Sequence, residues 1–199
     1  NPVASIVSND GDNIICAGTS VTFTGAPTAA NYNFRVNGVS VQNGALSTYT
    51  TSALVNGNTV DVIVTNASGC TGTSGVITMT VNANPVAGLT SSDGDNIICA
   101  GESVTFTGSG GTNYEFFVDG TSVQNGAGTT YVTTGLLSGQ VVTVRVSNAS
   151  GCSTTSTGIT TTVNANPVAS IVSNDGDNII CAGTSVTFTG TPVGANYNF

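Results

Sequence analysis

The chain has 199 residues, a net charge of −8 and a charged fraction of only 6%, and its two cations are Arg35 and Arg145. Two arginines cannot neutralise a phosphate backbone, which excludes nucleic acid as a partner, and neither an anionic bilayer surface as partner nor membrane insertion is expected of this segment. There is no histidine or lysine, so a thiol nucleophile would lack its usual base, and no apolar run reaches the roughly 20 residues of a spanning helix.

The opening "NPVA" returns at Asn1, Asn84 and Asn166, a repeat of the length that marks tandem architectures. This self-similarity divides the chain into units 1–83 and 84–165 and a third, 166–199, that reaches Phe199, the counterpart of Phe34; the array is expected to continue. The second unit is shorter by one position after "VTFTG", where "APTAANYNF" becomes "SGGTNYEF".

Within the first unit a strand is predicted at "VASIVS" (Val3 to Ser8), followed by the Asx-rich run "SNDGDNIICAG" (Ser8 to Gly18). Further strands are predicted at Val21 to Thr24, Asn31 to Val36, Val39 to Gln42, Leu46 to Leu54, Val60 to Thr65 and Val76 to Val81. These runs mostly alternate with period two, the mark of a strand with one buried face. Tyr32, Phe34 and Val36 share one face, matched by Tyr114, Phe116 and Val118, while Phe117 falls on the outer face. Asn37-Gly38 and Asp119-Gly120 carry the two-residue hairpin signal, because both central positions of a type I′ turn need positive φ. "NASG" at Asn66 and Asn148 closes the last hairpin; in both places the asparagine of the N-A-S sequon reads as a turn residue rather than a glycan acceptor. About seven strands in about 82 residues fit an all-β chain of tandem immunoglobulin-like antiparallel sandwiches, arranged as a rod.

The pattern "PVASIVS…CAGTSVTFTG…NYNFRVNG…TYTTSAL…VTNASGC…VITMTV" resembles the PKD-like and Ig-like repeats of giant Bacteroidetes cell-surface adhesins, the SprB-type gliding-motility adhesins above all. The resemblance runs through every unit, and "CAGTSVTFTG" and "NASGC" are its most specific parts. It implies an extracellular, surface-anchored filament exported by type IX secretion. Its partners would be neighbouring repeats of the same chain and, through other parts of the protein, an external surface or polysaccharide.

Each full unit has two cysteines, Cys16 and Cys70, then Cys99 and Cys152, while Cys181 stands alone in the third. Without histidine or a C-x-x-C pair zinc is a poor reading, and regular pairs point to disulfides in an oxidising compartment. Two pairings are open. Closing each unit on itself, Cys16 with Cys70 and Cys99 with Cys152, is the simpler and is expected. It would tie a loop of more than 50 residues, for roughly 3 to 5 kcal/mol. The alternative joins Cys16 to Cys152, because a sandwich places its first corner and its last hairpin at opposite ends. In either pairing Cys181 is expected to find its partner beyond the sequence.

The repeated corner places Asp10, Asp12 and Asn13, Asp93, Asp95 and Asn96, and Asp175, Asp177 and Asn178 close together. Calcium at a repeat junction is the one cofactor these oxygens suggest, although the ion wants six to eight oxygen ligands and the run is not an EF-hand. An Asx-rich turn needs the same residues and is the expected reading. Tyr32, Tyr49, Tyr114 and Tyr131 read as core rather than as sugar-stacking platforms. The absence of lysine also rules out Lys-Asn isopeptide bonds. An enzyme is not expected, because the recurring acids sit at corners rather than across a cleft. The expected function is a structural spacer in an adhesive filament; a repeated carbohydrate- or protein-binding module is the alternative. The spacer is favoured because corners, cysteines and junctions recur while loop length and outer faces change.

Overall fold

The computed structural model describes residues 1–192 and Asn196. The end of the third unit's aromatic run, Phe199 included, lies outside the described residues. All regular structure among the described residues is β. The first unit contains β1 (Ser5–Ser8), β2 (Ile14–Cys16), β3 (Val21–Ala26), β4 (Asn31–Val36), β5 (Val39–Gly44), β6 (Thr48–Thr51), β7 (Thr59–Thr65), β8 (Thr71–Thr73), β9 (Ile77–Thr78) and β10 (Thr80–Asn82). The second repeats them as β11 (Gly88–Ser91), β12 (Ile97–Cys99), β13 (Val104–Ser109), β14 (Asn113–Val118), β15 (Thr121–Gly126), β16 (Thr130–Thr133), β17 (Val141–Ser147), β18 (Ser153–Thr155), β19 (Ile159–Thr160) and β20 (Thr162–Asn164).

In each unit two antiparallel sheets face one another: β1-β3-β6 against β5-β4-β7-β8, and β11-β13-β16 against β15-β14-β17-β18. This is the two-sheet, immunoglobulin-type sandwich expected from alternation. A short parallel ladder closes one end, β2 against β10 and β12 against β20. Alternation alone does not anticipate it. The run "VITMTV" is split: β9 pairs with β7, Met79 turns its side chain inward, and β10 leaves to pair with β2.

The cores follow from the period-two pattern. Phe23 and Phe34 are fully buried with Val60, Val62 and Val64, and Phe106, Phe116, Val142, Val144 and Val146 fill the second unit identically. Each such side chain contributes about 1.5–3 kcal/mol over an exposed one. Tyr32 and Tyr114 are buried too, while Tyr49 and Tyr131 each pack against two phenylalanines, with centroids 5.8 Å from Phe34 and Phe116 respectively. Tyr32 and Tyr114 are therefore core residues, and Tyr49 and Tyr131 are half-buried against the same cores. The glycine ending "VTFTG" makes this packing possible: a Cβ on Gly25 would stand 3.1 Å from the Tyr32 ring. Both I′ turns form, with φ of 51° and 76° at Asn37 and Gly38, and 49° and 78° at Asp119 and Gly120.

The two units differ in where they place charge. Arg35 on β4 pairs with its cross-strand neighbour Asp61, and Arg145 on β17 pairs with its own cross-strand neighbour Glu115, two residues along the ladder from the equivalent of the first unit's pair. Arg145 also covers the half-buried Phe117 ring at 5.7 Å. In the third unit β21 (Ser170–Ser173) and β22 (Phe188–Thr191) pair. Phe188 stays 57% exposed there, where its counterparts Phe23 and Phe106 are fully covered by the opposite sheet.

Candidate functional site

The residues that recur most faithfully meet where one sandwich follows another. On one side of the junction is the corner between β2 and β3. Gly18 takes φ +83°, and a turn bonds the Thr19 amide to the Cys16 carbonyl at 3.0 Å. The β2–β10 ladder fixes the corner's height, with Cys16 opposite Asn82 and the Ala17 amide 2.9 Å from the Asn82 carbonyl. The Asn84 side chain then donates to the Ala17 carbonyl at 3.0 Å, which holds the connecting segment against the corner.

On the other side is the "NASGC" hairpin between β17 and β18. Asn148 Oδ1 accepts the Ser150 and Cys152 amides at 3.1 and 3.0 Å, shaping the loop, and its Nδ2 donates to the Ala83 carbonyl at 2.8 Å. Cys152 is thereby brought to the corner and bonds Cys16, with 5.5 Å between Cα atoms, inside the range a disulfide accepts. Cys152 is 1% exposed.

This corrects the expected local pairing. Cys16 does not meet Cys70, and Cys99 does not meet Cys152, because the corner closes the C-terminal end of each sandwich and the hairpin closes the N-terminal end. Cys70, Cys99 and Cys181 are exposed thiols. Sequence reasoning misses two contributors: the side-chain amide of Asn84, and the outward donation from Asn148, whose sequence context indicates only a turn. The recurrence of "NANP" and "NASGC" is their only signal.

The Asx corners form turns. Asp10 Oδ1 accepts the Asp12 and Asn13 amides at 3.2 and 2.8 Å, and Asp12 Oδ1 accepts the Ile14 amide at 3.0 Å. Asp93 and Asp95 both accept the Ile97 amide, at 3.1 and 3.0 Å, and Asp177 accepts that of Ile179 at 3.1 Å. Asp175 donates its own amide to Ser173. Asn13, Asn96 and Asn178 take left-handed φ of 57°, 57° and 58°, which asparagine tolerates better than most residues. The Ile14 amide, and secondarily Asp10, hold the Asp12 carboxyl below the usual range; Ile179 and Asp175 do the same for Asp177. Asn13 Oδ1, Asn96 Oδ1 and Asp175 Oδ2 are buried without a hydrogen-bond partner among the described residues. Most corner carboxylates thus organise their own backbone, and no group of three or more His, Cys, Asp or Glu side chains gathers among the described residues.

No protein-family model and no curated protein matches the chain. Among solved structures it is similar to the fibronectin(III)-like modules of Clostridium thermocellum CbhA, at 12% identity and TM-score 0.45, over 82% of this chain and 95% of that one. It is also similar to murine CEACAM1b, at 10% identity and TM-score 0.38, over 81% and 100%. The immunoglobulin-type assignment rests on strand order and register.

Proposed function

We propose that these units are spacers in an extracellular, adhesin-type filament of the bacterial surface, of the gliding-motility kind, holding a distal adhesive region away from the cell. The observation that carries this reading is the junction. The features that recur between units, namely corner, hairpin, cysteines and linker asparagines, serve to join one sandwich to the next. A covalent staple of this type belongs in an oxidising compartment, in keeping with export. The proposed partners are further units of the same chain.

Small-angle scattering of the oxidised chain tests the spacer. At about 3.3 Å per residue, the seven-residue strands β7 and β17, the longest of their units, with end loops advance a unit by roughly 35 to 45 Å. A maximum dimension near twice the length of one sandwich is expected. A compact particle with the sandwiches side by side would count against it.

One observation favours the binding alternative. The second unit has an open cleft of about 380 Å³, lined in part by Val118, Asp119, Val123, Tyr131, Leu136 and Gln140. Its lining changes between units, however, with Asp119, Thr121, Gly135 and Gln140 standing where the first unit has Asn37, Val39, Ala53 and Asn58. A repeated ligand site would hold that chemistry fixed. Binding of the chain on a glycan array, lost in Tyr131→Ala and Gln140→Ala, would reverse the preference.

A further inference from the structure

We infer that Cys99 and Cys70 are unpaired halves of the staple that Cys16 and Cys152 complete: Cys99 takes the hairpin cysteine of a following unit, and Cys70 the corner cysteine of a preceding one. The inference stands on repeat geometry and not on the surface-filament reading.

Both halves already hold the bonded shape. At the second corner the Ala100 amide lies 2.9 Å from the Asn164 carbonyl, and Asn166 Nδ2 lies 2.8 Å from the Ala100 carbonyl. The Glu102 amide bonds the Cys99 carbonyl at 3.0 Å, and Cys99 stands opposite Asn164. Each contact reproduces one made at Cys16. At the first hairpin, Asn66 Oδ1 accepts the Ser68 and Cys70 amides at 3.0 and 2.9 Å, and the Gly69 amide bonds the Asn66 carbonyl at 2.9 Å, as in the loop of Cys152. Cys152 is buried while Cys70 is exposed; the two local structures otherwise agree, and what covers Cys152 is the neighbouring unit. The occupant of both free sites is therefore another unit of this kind, in the same chain or in a second copy.

Closure proceeds by thiol–disulfide exchange with a small disulfide such as oxidised glutathione. The Cys99 thiolate attacks one glutathione sulfur and expels a glutathione thiolate, and the hairpin thiolate then displaces the second. One protein disulfide forms, one glutathione disulfide is reduced, and the two cysteine protons end on two glutathione thiols.

The test lengthens the full chain. Phe199 is the counterpart of Phe34, so a second copy of residues 35–83 placed after Phe199 completes a third unit and supplies a hairpin with a copy of Cys70. After oxidation with glutathione, non-reducing peptide mapping is expected to find Cys99 linked to the added hairpin cysteine, with Cys16–Cys152 intact and Cys70 and Cys181 open to alkylation. A link from the added cysteine to Cys181, or an added cysteine left as a thiol, overturns the inference. The unextended chain gives a second reading that does not depend on the added strands. At high concentration under the same oxidant, links between copies should be hairpin to corner, Cys70 to Cys99 or Cys181, several-fold over Cys70 to Cys70, and Cys70→Ser should abolish them. Statistical pairing overturns it. An in-chain link is independent of protein concentration and a link between copies grows with it, which separates the two sources.

Discussion

Replacing Cys152 with serine should do more than loosen a joint; it should turn one unfolding transition into two. The bridge encloses a sequence separation of 136, yet either sandwich can unfold alone inside it. If only the first unfolds, the second remains a rigid clip whose Asn84 and Cys152 ends both lie at the junction, so the loop to be closed runs only from Cys16 to Asn84. If only the second unfolds, the loop runs from Asn84 to Cys152. Asn84 lies midway between the two cysteines, so each of these loops is half the full one. In the chain-entropy model each single opening is opposed by about 4 kcal/mol, and opening both by about 5 kcal/mol, since doubling a loop adds only about 0.6 kcal/mol. The half-unfolded states are thus disfavoured by nearly the full amount, and losing the second unit as well adds little. Urea unfolding followed by circular dichroism, with hydrogen exchange read separately on β7 and β17, provides the assay. The oxidised chain should give one steep transition with both strands exposing together, and Cys152→Ser two shallower ones at lower urea. Identical midpoints and slopes for the two proteins would refute the reasoning.

Thr161 occupies the place of Met79, fully buried and with its hydroxyl unpartnered among the described residues. Thr161→Val should therefore stabilise the second unit by about 1–2 kcal/mol in urea melts, and Met79→Thr should destabilise the first by about 2–5 kcal/mol. The depressed Asp12 and Asp177 carboxyls favour the folded state while ionised, so their contribution is complete above the unfolded carboxylate value near 3.9 and is lost as pH falls through their lower folded values; carboxyl chemical shifts in an acid titration should show midpoints below that of a model peptide. An Asp10→Asn and Asp12→Asn double variant retains the amide-accepting oxygens and should fold normally, with calcium calorimetry giving the same blank trace as the parent; a heat seen only in the parent would support calcium at the corner instead. A side chain on Gly110 would meet the Val86 carbonyl at 1.8 Å, at a φ of +98°, so Gly110→Ala should destabilise the second unit by more than the roughly 1 kcal/mol of its φ penalty alone.

The sandwich could be read from the sequence because its long strands, β3, β4 and β7, each alternate strictly and announce their buried face locally. The hairpin turns were equally legible, since Asn-Gly and Asp-Gly state their dihedrals in two residues. By contrast, β2 is a short strand inside a turn-rich run, and its partner β10 comes at the far end of the unit, in parallel, a pairing no local period encodes. The broad run Leu46 to Leu54 shrank to β6, and the break at Met79 depends on a change of partner. Cysteine pairing failed for the same reason: it is decided by which end of the sandwich each loop closes, and sequence distance, which favoured Cys70 for Cys16, does not report on that. The Asx corners were legible as turns because their carboxylates act on amides only a few positions away.

The Cys16–Cys152 bond also gives the chain two covalent routes between its ends. Tension arriving at residue 16 can leave at residue 152 through a single pair of sulfur atoms, without passing through the backbone of either core. Some 136 residues, about 450 to 490 Å of extended polypeptide at 3.3–3.6 Å each, are held in parallel with that bond and released only when it is reduced. A protease that cuts anywhere between Ala17 and Gly151 leaves the two ends joined. Thiol chemistry, more than the strength of the folded sheets, therefore sets how far this stretch of chain can be drawn out.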